Sequence, residues 1–332
     1  MMLPNWAIID ANINRATEGL RVLEDYCRFH RHDEALTHRL AHFRHQLNES
    51  NPDWAHQLQS RHTPSDVRAM EPPRTRESVV GLLRANCSRV QEAMRVLEEW
   101  TGHALYCEIR YRMYDVEQQL VLSALKPVIK AGIMVISDQP KILAQAQEQG
   151  AIMVQLRVKN TPKADIYPLA QQARDLIRDI PLIINDYLDL AVAIHADGLH
   201  TGQDDLPLSI LRSQLGSYRL LGRTTHTLDQ GKIAKESGAD YISVGPIWET
   251  PSKPGRTGIG FGYLGQVATL GVPYVAIGGI NLDRLPQVLA YSPPMIGMIR
   301  DVANLPKMAE LFYASHGSQS VGGDQLAGDE NG

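Results

Sequence analysis

From about residue 130 onward the chain repeats one alternation: a short apolar run, then a stretch with apolar residues at helical spacing. The runs are Gly132–Ser137, Ile152–Val158, Leu182–Asn185, Gly198–Thr201, Leu220–Thr224, Tyr241–Gly245, Tyr274–Ile277 and Ile296–Ile299. Between them Lys141–Gln149, Lys163–Arg178, Asp186–Ile194, Ser209–Leu215 and Asp229–Ser237 each have room for one helix. Strands that are apolar almost throughout are buried on both faces, as parallel strands covered by helices are. The pattern predicts a compact (β/α)8 barrel over residues 130–315 in an α/β chain, with a doubly wound open sheet as the alternative. Residues 316–332, rich in Gly, Ser, Asp and Gln, read as a disordered tail.

Residues 1–125 read as an all-α domain. Asp10–Arg31, Glu34–Glu49, Arg76–Thr101 and Cys107–Leu125 carry apolar residues at helical intervals, and Ser50–Pro73 reads as a long loop or a short helix with turns. The region contains an internal repeat: A-N-x-x-R-x-x-E-x-x-R-V-L-E runs from Ala11 to Glu24 and again from Ala85 to Glu98. Such a repeat predicts two equivalent helices related by a pseudo-two-fold. Asn12, Arg15 and Glu18 step by three along one face, and the spacing allows Glu18 to pair with Arg21.

Composition limits the partners. The 332 residues hold 33 Lys and Arg against 37 Asp and Glu, a formal charge of −4, with no basic block. Small-molecule substrates are therefore expected, with no nucleic acid and no membrane. The three cysteines, Cys27, Cys87 and Cys107, match no zinc or redox spacing and read as reduced thiols. The first twenty residues lack the apolar core of a signal peptide, and no stretch is long and apolar enough to span a bilayer, so a cytoplasmic location is expected. A homo-oligomer stays open.

In a (β/α)8 barrel the chemistry lies at the C-terminal strand ends. Here the second strand exits through Gln155, Arg157 and Lys159, which alternation places on one side, facing the barrel mouth. The third exits as Asn185-Asp186 and the fourth as His200-Thr201-Gly202-Gln203-Asp204-Asp205. The fifth gives Arg223-Thr224-Thr225-His226, the sixth Trp248-Glu249-Thr250-Pro251-Ser252-Lys253, the seventh Gly278-Gly279 and the eighth Ile299-Arg300. Backbone N–H groups of a Gly-Gly turn after the seventh strand suit a phosphate, because glycine lets the backbone approach the ligand. Asp186 and Asp205 are hard oxygen ligands that suit Mg2+ with room left for phosphate oxygens. With Arg157, Lys159 and Lys253 nearby, the set fits a magnesium-diphosphate better than a bare phosphate. No Ser-His-Asp arrangement is evident, and His200 and His226 read as structural histidines.

The strings QLRVK, IND, ADGLHTGQDD, GRTTHT, SVGPIWETPSKPGRTGIG and AIGGI, in this order over residues 130–305, resemble the motif series of thiamine-phosphate synthases. That resemblance implies a Mg2+-dependent transferase of thiamine biosynthesis. Such an enzyme joins hydroxymethylpyrimidine diphosphate to a thiazole phosphate and releases diphosphate. It implies that Arg157, Lys159, Asn185 and Lys253 hold the diphosphate and that Asp186 and Asp205 carry Mg2+. Gln155 and Thr224 would face the pyrimidine, and Thr250, Ser252, Gly279 and the backbone at Ile299-Arg300 would hold the thiazole phosphate. Among these, Arg157, Thr224 and Lys253 are the implied catalytic residues. Two departures stand out: Thr224 replaces the family's usual serine, and Tyr291-Ser292-Pro293-Pro294-Met295 replaces a Gly-rich turn.

The helical region resembles domains fused to thiamine-phosphate synthases in some bacteria, cyanobacteria among them, whose relatives are associated with phosphorylating hydroxymethylpyrimidine phosphate. It contains no P-loop. Arg61-His62-Thr63-Pro64-Ser65-Asp66-Val67 reads as a candidate phosphate-contacting loop. The repeated Asn12/Asn86, Arg15/Arg89 and Glu18/Glu92 read as a structural network in a duplicated bundle or dimer interface in preference to a catalytic pocket. Two alternatives to the synthase remain: a thiazole tautomerase-like barrel enzyme, which has no need of the diphosphate-magnesium set, and a non-catalytic regulator that binds thiamine precursors.

Overall fold

The structure, a computed structural model, describes residues 5–51, 53–61, 75–250, 257–299 and 301–320, with side chains described through residue 317 at the C-terminal end. The chain divides into two compact units, Met1–Leu125 and Lys126–Gly332.

The first unit is helical. Its elements are α1 (Trp6–Asp25), a π-helical turn (Tyr26–Arg31), α2 (Glu34–Glu49), α3 (Trp54–Gln59), α4 (Val79–Thr101) and α5 (Ala104–Leu125). The N-caps are the residues chemistry favours. Asn5, Asp33 and Ser78 each accept a hydrogen bond from a backbone N–H in the first turn of α1, α2 and α4. The repeat falls on α1 and α4, which pack directly on each other, with α2 against α1 and α5 against α4. Leu20, Leu23, Phe43, Met94, Leu97, Ile109 and Met113 are fully buried between them.

The repeated polar residues behave as equivalents. Asn12 and Asn86 are buried, and each amide donates to the carbonyl one turn back in its own helix, Ile8 at 2.8 Å and Leu82 at 2.9 Å. Glu24 receives Arg44 from α2 at 3.0 Å, and Glu98 receives Arg110 from α5 at 2.9 Å. Arg21 pairs with Glu24 and Asp25, and Arg95 with Glu98 and Glu99. The expected Glu18–Arg21 pair is thus replaced: the guanidinium turns toward the C-terminal end of its helix, where two carboxylates lie and the helix dipole also favours a cation. Arg15, Glu18, Arg89 and Glu92 are exposed.

Four helix boundaries differ from the sequence expectation: α4 begins at Val79 and not at Arg76, α5 begins at Ala104 and not at Cys107, and the first helix differs at both ends. The predicted Asp10–Arg31 helix begins earlier, at Trp6 under the Asn5 cap, and its last turn loosens into the π-helix. His32 then turns left-handed at φ 54°, and the Cys27 carbonyl accepts Asp33 N–H at 3.0 Å. Cys27 and Cys87 are free and buried, and burial pushes their thiols up to about 11 and about 12.

The second unit is the barrel. Its strands are β1 (Gly132–Ser137), β2 (Met153–Leu156), β3 (Leu182–Asn185), β4 (Gly198–Thr201), β5 (Leu220–Thr225), β6 (Tyr241–Val244), β7 (Tyr274–Ile277) and β8 (Met295–Met298). All pair in parallel and in sequence order, and β1 closes on β8. Helices α6 (Pro140–Glu148), α7 (Lys163–Leu176), α8 (Leu188–Ala193), α9 (Leu208–Leu215), α10 (Leu228–Glu236) and α11 (Leu285–Leu289) fill the crossovers, with a 3-10 turn at Val267–Leu270 between β6 and β7. The last helix, α12 (Leu305–Ser320), carries helical backbone past residue 316, where disorder was expected; Leu305, Met308 and Phe312 anchor it in the core. Residues 321–332 lie outside the described residues.

Alternation sorts the barrel residues. Val154, Leu156, Ile184, Leu199, Leu221 and Ile242 face the helices, whereas Met134, Ile136, Met153, Ile183, Leu220, Tyr241 and Met295 fill the inside. Ahead of β4 and β6 one motif appears twice. Asp197 accepts Leu182 N–H at 2.8 Å and pairs with Arg174 at 2.7 Å; Asp240 accepts Leu221 N–H at 2.8 Å and pairs with Arg212 at 2.6 Å. Charge at this N-terminal end of the strands ties the barrel together, leaving the other end for chemistry. No described helix is long and apolar enough to cross a membrane.

The α1–α4 contact gives a test. A Cβ on Gly19 would lie 2.9 Å from Val90 Cγ2 and 3.2 Å from the Asn86 carbonyl oxygen. Gly19→Val forces the helices apart and is expected to cost about 1–3 kcal/mol, seen as a lower guanidinium midpoint when helical ellipticity of the full chain is followed.

Candidate active site

The barrel mouth is a continuous recess with three zones. At one end Arg157, Lys159, Asn185, Asp186, Asp205 and His226 line a polar pocket. In the centre Gln155, Asn185, His200, Thr224, Tyr241 and Ile299 are among the residues around a more apolar cavity. At the far end Thr250, Gly278, Gly279, Asn281, Arg284 and Ile299 line a third. The zones are joined, because Arg157, Asn185 and Thr224 face both the first and second, and Thr250, Gly278 and Ile299 both the second and third.

The polar end is built from the exits of β2, β3 and β4. Asp186 sits in the left-handed region at φ 64°, a conformation aspartate tolerates better than most residues, and its N–H is held by the His200 carbonyl at 2.8 Å. Its carboxylate pairs with the Lys159 ammonium. Asp205 accepts the Gly202 N–H at 2.6 Å. Burial pushes the Asp205 carboxyl above its usual range; the Gly202 hydrogen bond opposes this, and the neighbouring Asp186 charge adds to it. Burial also draws Arg157 below the ordinary arginine range, against the pull of Asp186. Two carboxylates and two cations therefore share one partly desolvated end.

Among the described residues no cluster of three or more His, Cys, Asp and Glu side chains is placed to hold a metal. Two carboxylates remain a fitting set for Mg2+, which commonly takes one or two carboxylates and completes its shell with water and substrate phosphate oxygens.

The central zone is a hydrogen-bonded nest. His200 Nε2 is 3.0 Å from Thr224 Oγ1 and its Nδ1 is 3.1 Å from the Tyr241 hydroxyl. Tyr241 is fully buried, and burial holds its phenol protonated. Two buried amides aim unpaired donors here: Gln155 Nε2 and Asn185 Nδ2 have no hydrogen-bond partner. An orphaned buried donor costs about 1–3 kcal/mol, so donors lining this cavity suit a polar partner, a ligand or water.

Of the residues singled out in the sequence, Gln155, Arg157, Lys159, Asn185, Asp186, Asp205, Thr224, Thr250, Gly279 and Ile299 all line this recess. Ser252, Lys253 and Arg300 lie outside the described residues, as does the loop 62–67. Arg61 itself donates to both carboxylate oxygens of Asp10, at 2.6 and 2.8 Å. His226 lines the polar end, and its Nδ1–H donates to the Gly245 carbonyl.

Sequence reasoning passed over Arg223. It is buried, and its guanidinium donates to the Gly202 carbonyl and, at 2.6 Å, to the Leu206 carbonyl, shaping the loop that carries Asp205. The available signal was the alternation itself: with Thr224 inward, Arg223 must point out of the barrel, where a charged residue needs partners. Tyr241 was also passed over, because at the start of an apolar strand it reads as core.

A closed parallel barrel whose mouth joins a cation-and-carboxylate pocket to a Gly-Gly turn defines an enzyme acting on phosphorylated small molecules. Residues 125–302 match the family model described as thiamine monophosphate synthase, and residues 7–119 match the ThiD2 family. A thiamine-phosphate synthase of Synechocystis sp. is 38% identical over 318 residues, covering 89% of this chain and 90% of the relative. One from Nostoc sp. is 33% identical over 328 residues, 93% of each chain. The solved thiamine phosphate pyrophosphorylase from Pyrococcus furiosus superposes with a TM-score of 0.50 at 27% identity, covering 55% of this chain and 96% of that one. The chain belongs to the thiamine-phosphate synthase family.

Asn185 offers a clean probe, since its side chain bonds to no described residue. Asn185→Leu is expected to leave the ligand-free melting temperature unchanged or raise it, by up to about 1 kcal/mol of stability. The same substitution should abolish the thermal shift given by magnesium and diphosphate; differential scanning fluorimetry reads both.

Proposed function

We propose that this protein joins 4-amino-2-methyl-5-hydroxymethylpyrimidine diphosphate to 4-methyl-5-(2-phosphoethyl)thiazole, or its carboxylated form. The products are thiamine monophosphate and diphosphate. The observation that carries the reading is the joined three-zone recess: a pocket for the diphosphate, a cavity for a polar ring and a glycine turn for a second phosphate. Family membership at up to 38% identity along most of the chain agrees with it.

In this reading the pyrimidine lies in the central zone, where Gln155 and Thr224 meet its ring and the unpaired Gln155 donor finds an acceptor. Asn185 stands where the central and polar zones meet, so its free donor reaches the diphosphate. The reaction breaks the bond between the pyrimidine methylene carbon and the diphosphate oxygen, and that electron pair leaves with the diphosphate. The thiazole nitrogen lone pair then forms the new carbon–nitrogen bond. Arg157 and Lys159, with Lys253, stabilise the growing charge on the leaving group, and the partly buried setting of Arg157 strengthens its share. Asp186 and Asp205 would hold Mg2+, which would supply further positive charge beside the leaving diphosphate. Thr224, fixed by His200, presents its hydroxyl oxygen toward the electron-poor methylene. Thr250, Ser252, Gly279 and the backbone at Ile299-Arg300 hold the thiazole phosphate, so catalysis works largely by positioning the two reactants.

The same reading makes the chain a two-domain protein, with an all-α domain over 1–125 and a barrel over 130–315, working in the cytoplasm on small molecules as a monomer or homo-oligomer. For the helical domain, the paired Asn12/Asn86 and Glu24/Glu98 contacts favour a structural role for the repeat. Phosphorylation of hydroxymethylpyrimidine phosphate by this domain is the second activity to test.

Full-length protein with Mg2+ and thiazole phosphate is expected to form thiamine phosphate from the pyrimidine diphosphate, and chelation should stop it. Asp186→Asn and Asp205→Asn should each lower kcat by at least about a hundredfold. No product from the diphosphate overturns the assignment. Product from the pyrimidine monophosphate only when ATP is added would make the enzyme bifunctional.

A further inference from the structure

We propose that the Arg284 guanidinium is a further binding group of this site: it receives the phosphate of the thiazole substrate and sets the preference for the phosphorylated over the unphosphorylated thiazole. The inference rests on the three-zone reading above.

Arg284 follows the Gly278-Gly279 turn and lines the far zone with Thr250, Gly279, Asn281 and Ile299. It is held from three sides. Its Nη1 donates to the Gly279 carbonyl at 3.0 Å, its Cζ lies 5.0 Å from the centre of the Trp248 ring, and its backbone N–H donates to Asn281 Oδ1 at 3.0 Å. Trp248 is itself fixed, with its backbone N–H on the Gly278 carbonyl at 3.1 Å and its ring in a T-shaped pair with Phe261. Gly279 makes room for the closure. Its φ is 72°, and a Cβ there would lie 2.8 Å from Trp248 Cβ and 3.0 Å from Arg284 Nη1.

These contacts aim the guanidinium without neutralising it. A carbonyl and an aromatic face leave its full charge in place, and most of its N–H donors remain for a ligand. Two acids share the zone. Asp301 accepts Leu282 N–H at 3.2 Å and the Asn304 amide at 2.7 Å, and Glu249 is exposed. Among the described residues neither pairs with Arg284. A preorganised fork beside a backbone turn matches the geometry of a phosphate, which accepts parallel N–H bonds from arginine. An unphosphorylated thiazole alcohol gains nothing comparable from it. The sequence expectation for this phosphate held hydroxyls and backbone but no guanidinium side chain.

The test compares full-length wild type, Arg284→Gln and Arg284→Lys. Calorimetric titrations use thiazole phosphate and the unphosphorylated thiazole alcohol, and turnover is measured with each substrate varied. Arg284→Gln is expected to weaken thiazole phosphate by about tenfold to a hundredfold, and the alcohol by less than about twofold. Arg284→Lys should recover part of the loss, and the KM for the pyrimidine diphosphate should stay put. Equal affinity of wild type and Arg284→Gln for thiazole phosphate overturns the inference. So does an equal loss for both thiazoles, which is what a merely structural role would give, and so does wild type that binds no thiazole phosphate. A wild type that binds thiazole phosphate yet forms no thiamine phosphate sinks the proposed function, while the binding comparison still decides the role of Arg284.

Discussion

Closure of the sheet, with β1 hydrogen-bonded to β8, is the constraint on which the rest of the barrel unit depends. Once eight parallel strands form a ring, every C-terminal strand end opens on the same mouth, and residues far apart in sequence become neighbours. Gln155, Asn185, Thr224 and Ile299 come from four different strands or their exits and face one cavity. The other end is tied by charge: Asp197 and Asp240 each cap a neighbouring strand N–H and hold an arginine from a packed helix. The division is physical. Satisfied ion pairs at one end contribute stability, and the donors of Gln155 and Asn185 line the cavity at the other.

The mouth gathers polar groups that are costly to bury. Gln155 and Asn185 leave buried donors unpaired, Arg157 and Asp205 are both displaced from their ordinary proton affinities by burial, and Asp186 holds a left-handed backbone. Burying such groups is costly, and apolar packing on both faces of the sheet offsets that cost. In the proposed function a diphosphate with its cation would satisfy much of this at once.

The helical unit follows the same economy of parts by duplication. Each copy of the repeat places a buried asparagine on its own helix backbone and a glutamate under an arginine from the next helix. The two copies meet at Gly19, where the absence of a side chain lets α1 approach α4. Repetition of contacts, and not only of letters, is what marks α1 and α4 as equivalents. The exposed Arg15, Glu18, Arg89 and Glu92 take no part in those contacts.

Much of this was legible in the sequence because it depends on periodicity. Eight apolar runs located all eight strands to within a few residues, since a strand buried on both faces has to be apolar throughout, and alternation through Gln155, Arg157 and Lys159 placed them at the mouth. Asp186, Asp205 and the Gly278-Gly279 turn followed from the rule that barrel chemistry sits at strand ends. Local pattern failed where a partner far along the chain decides the outcome. Helix α12 ran through residue 316 because Met308 and Phe312 pack in the core. Arg223 became a clamp for the Asp205 loop, and Arg284 met Trp248 and Gly279 only once β6 and β7 lay side by side. The sequence by itself determined which residues are strands, most of the helices and which strand ends are polar, because those are properties of short periods. Which polar groups satisfy one another, and which are left for a ligand, was decided by tertiary structure, because a hydrogen bond requires two groups within about 3 Å and no periodicity along the chain brings distant segments that close.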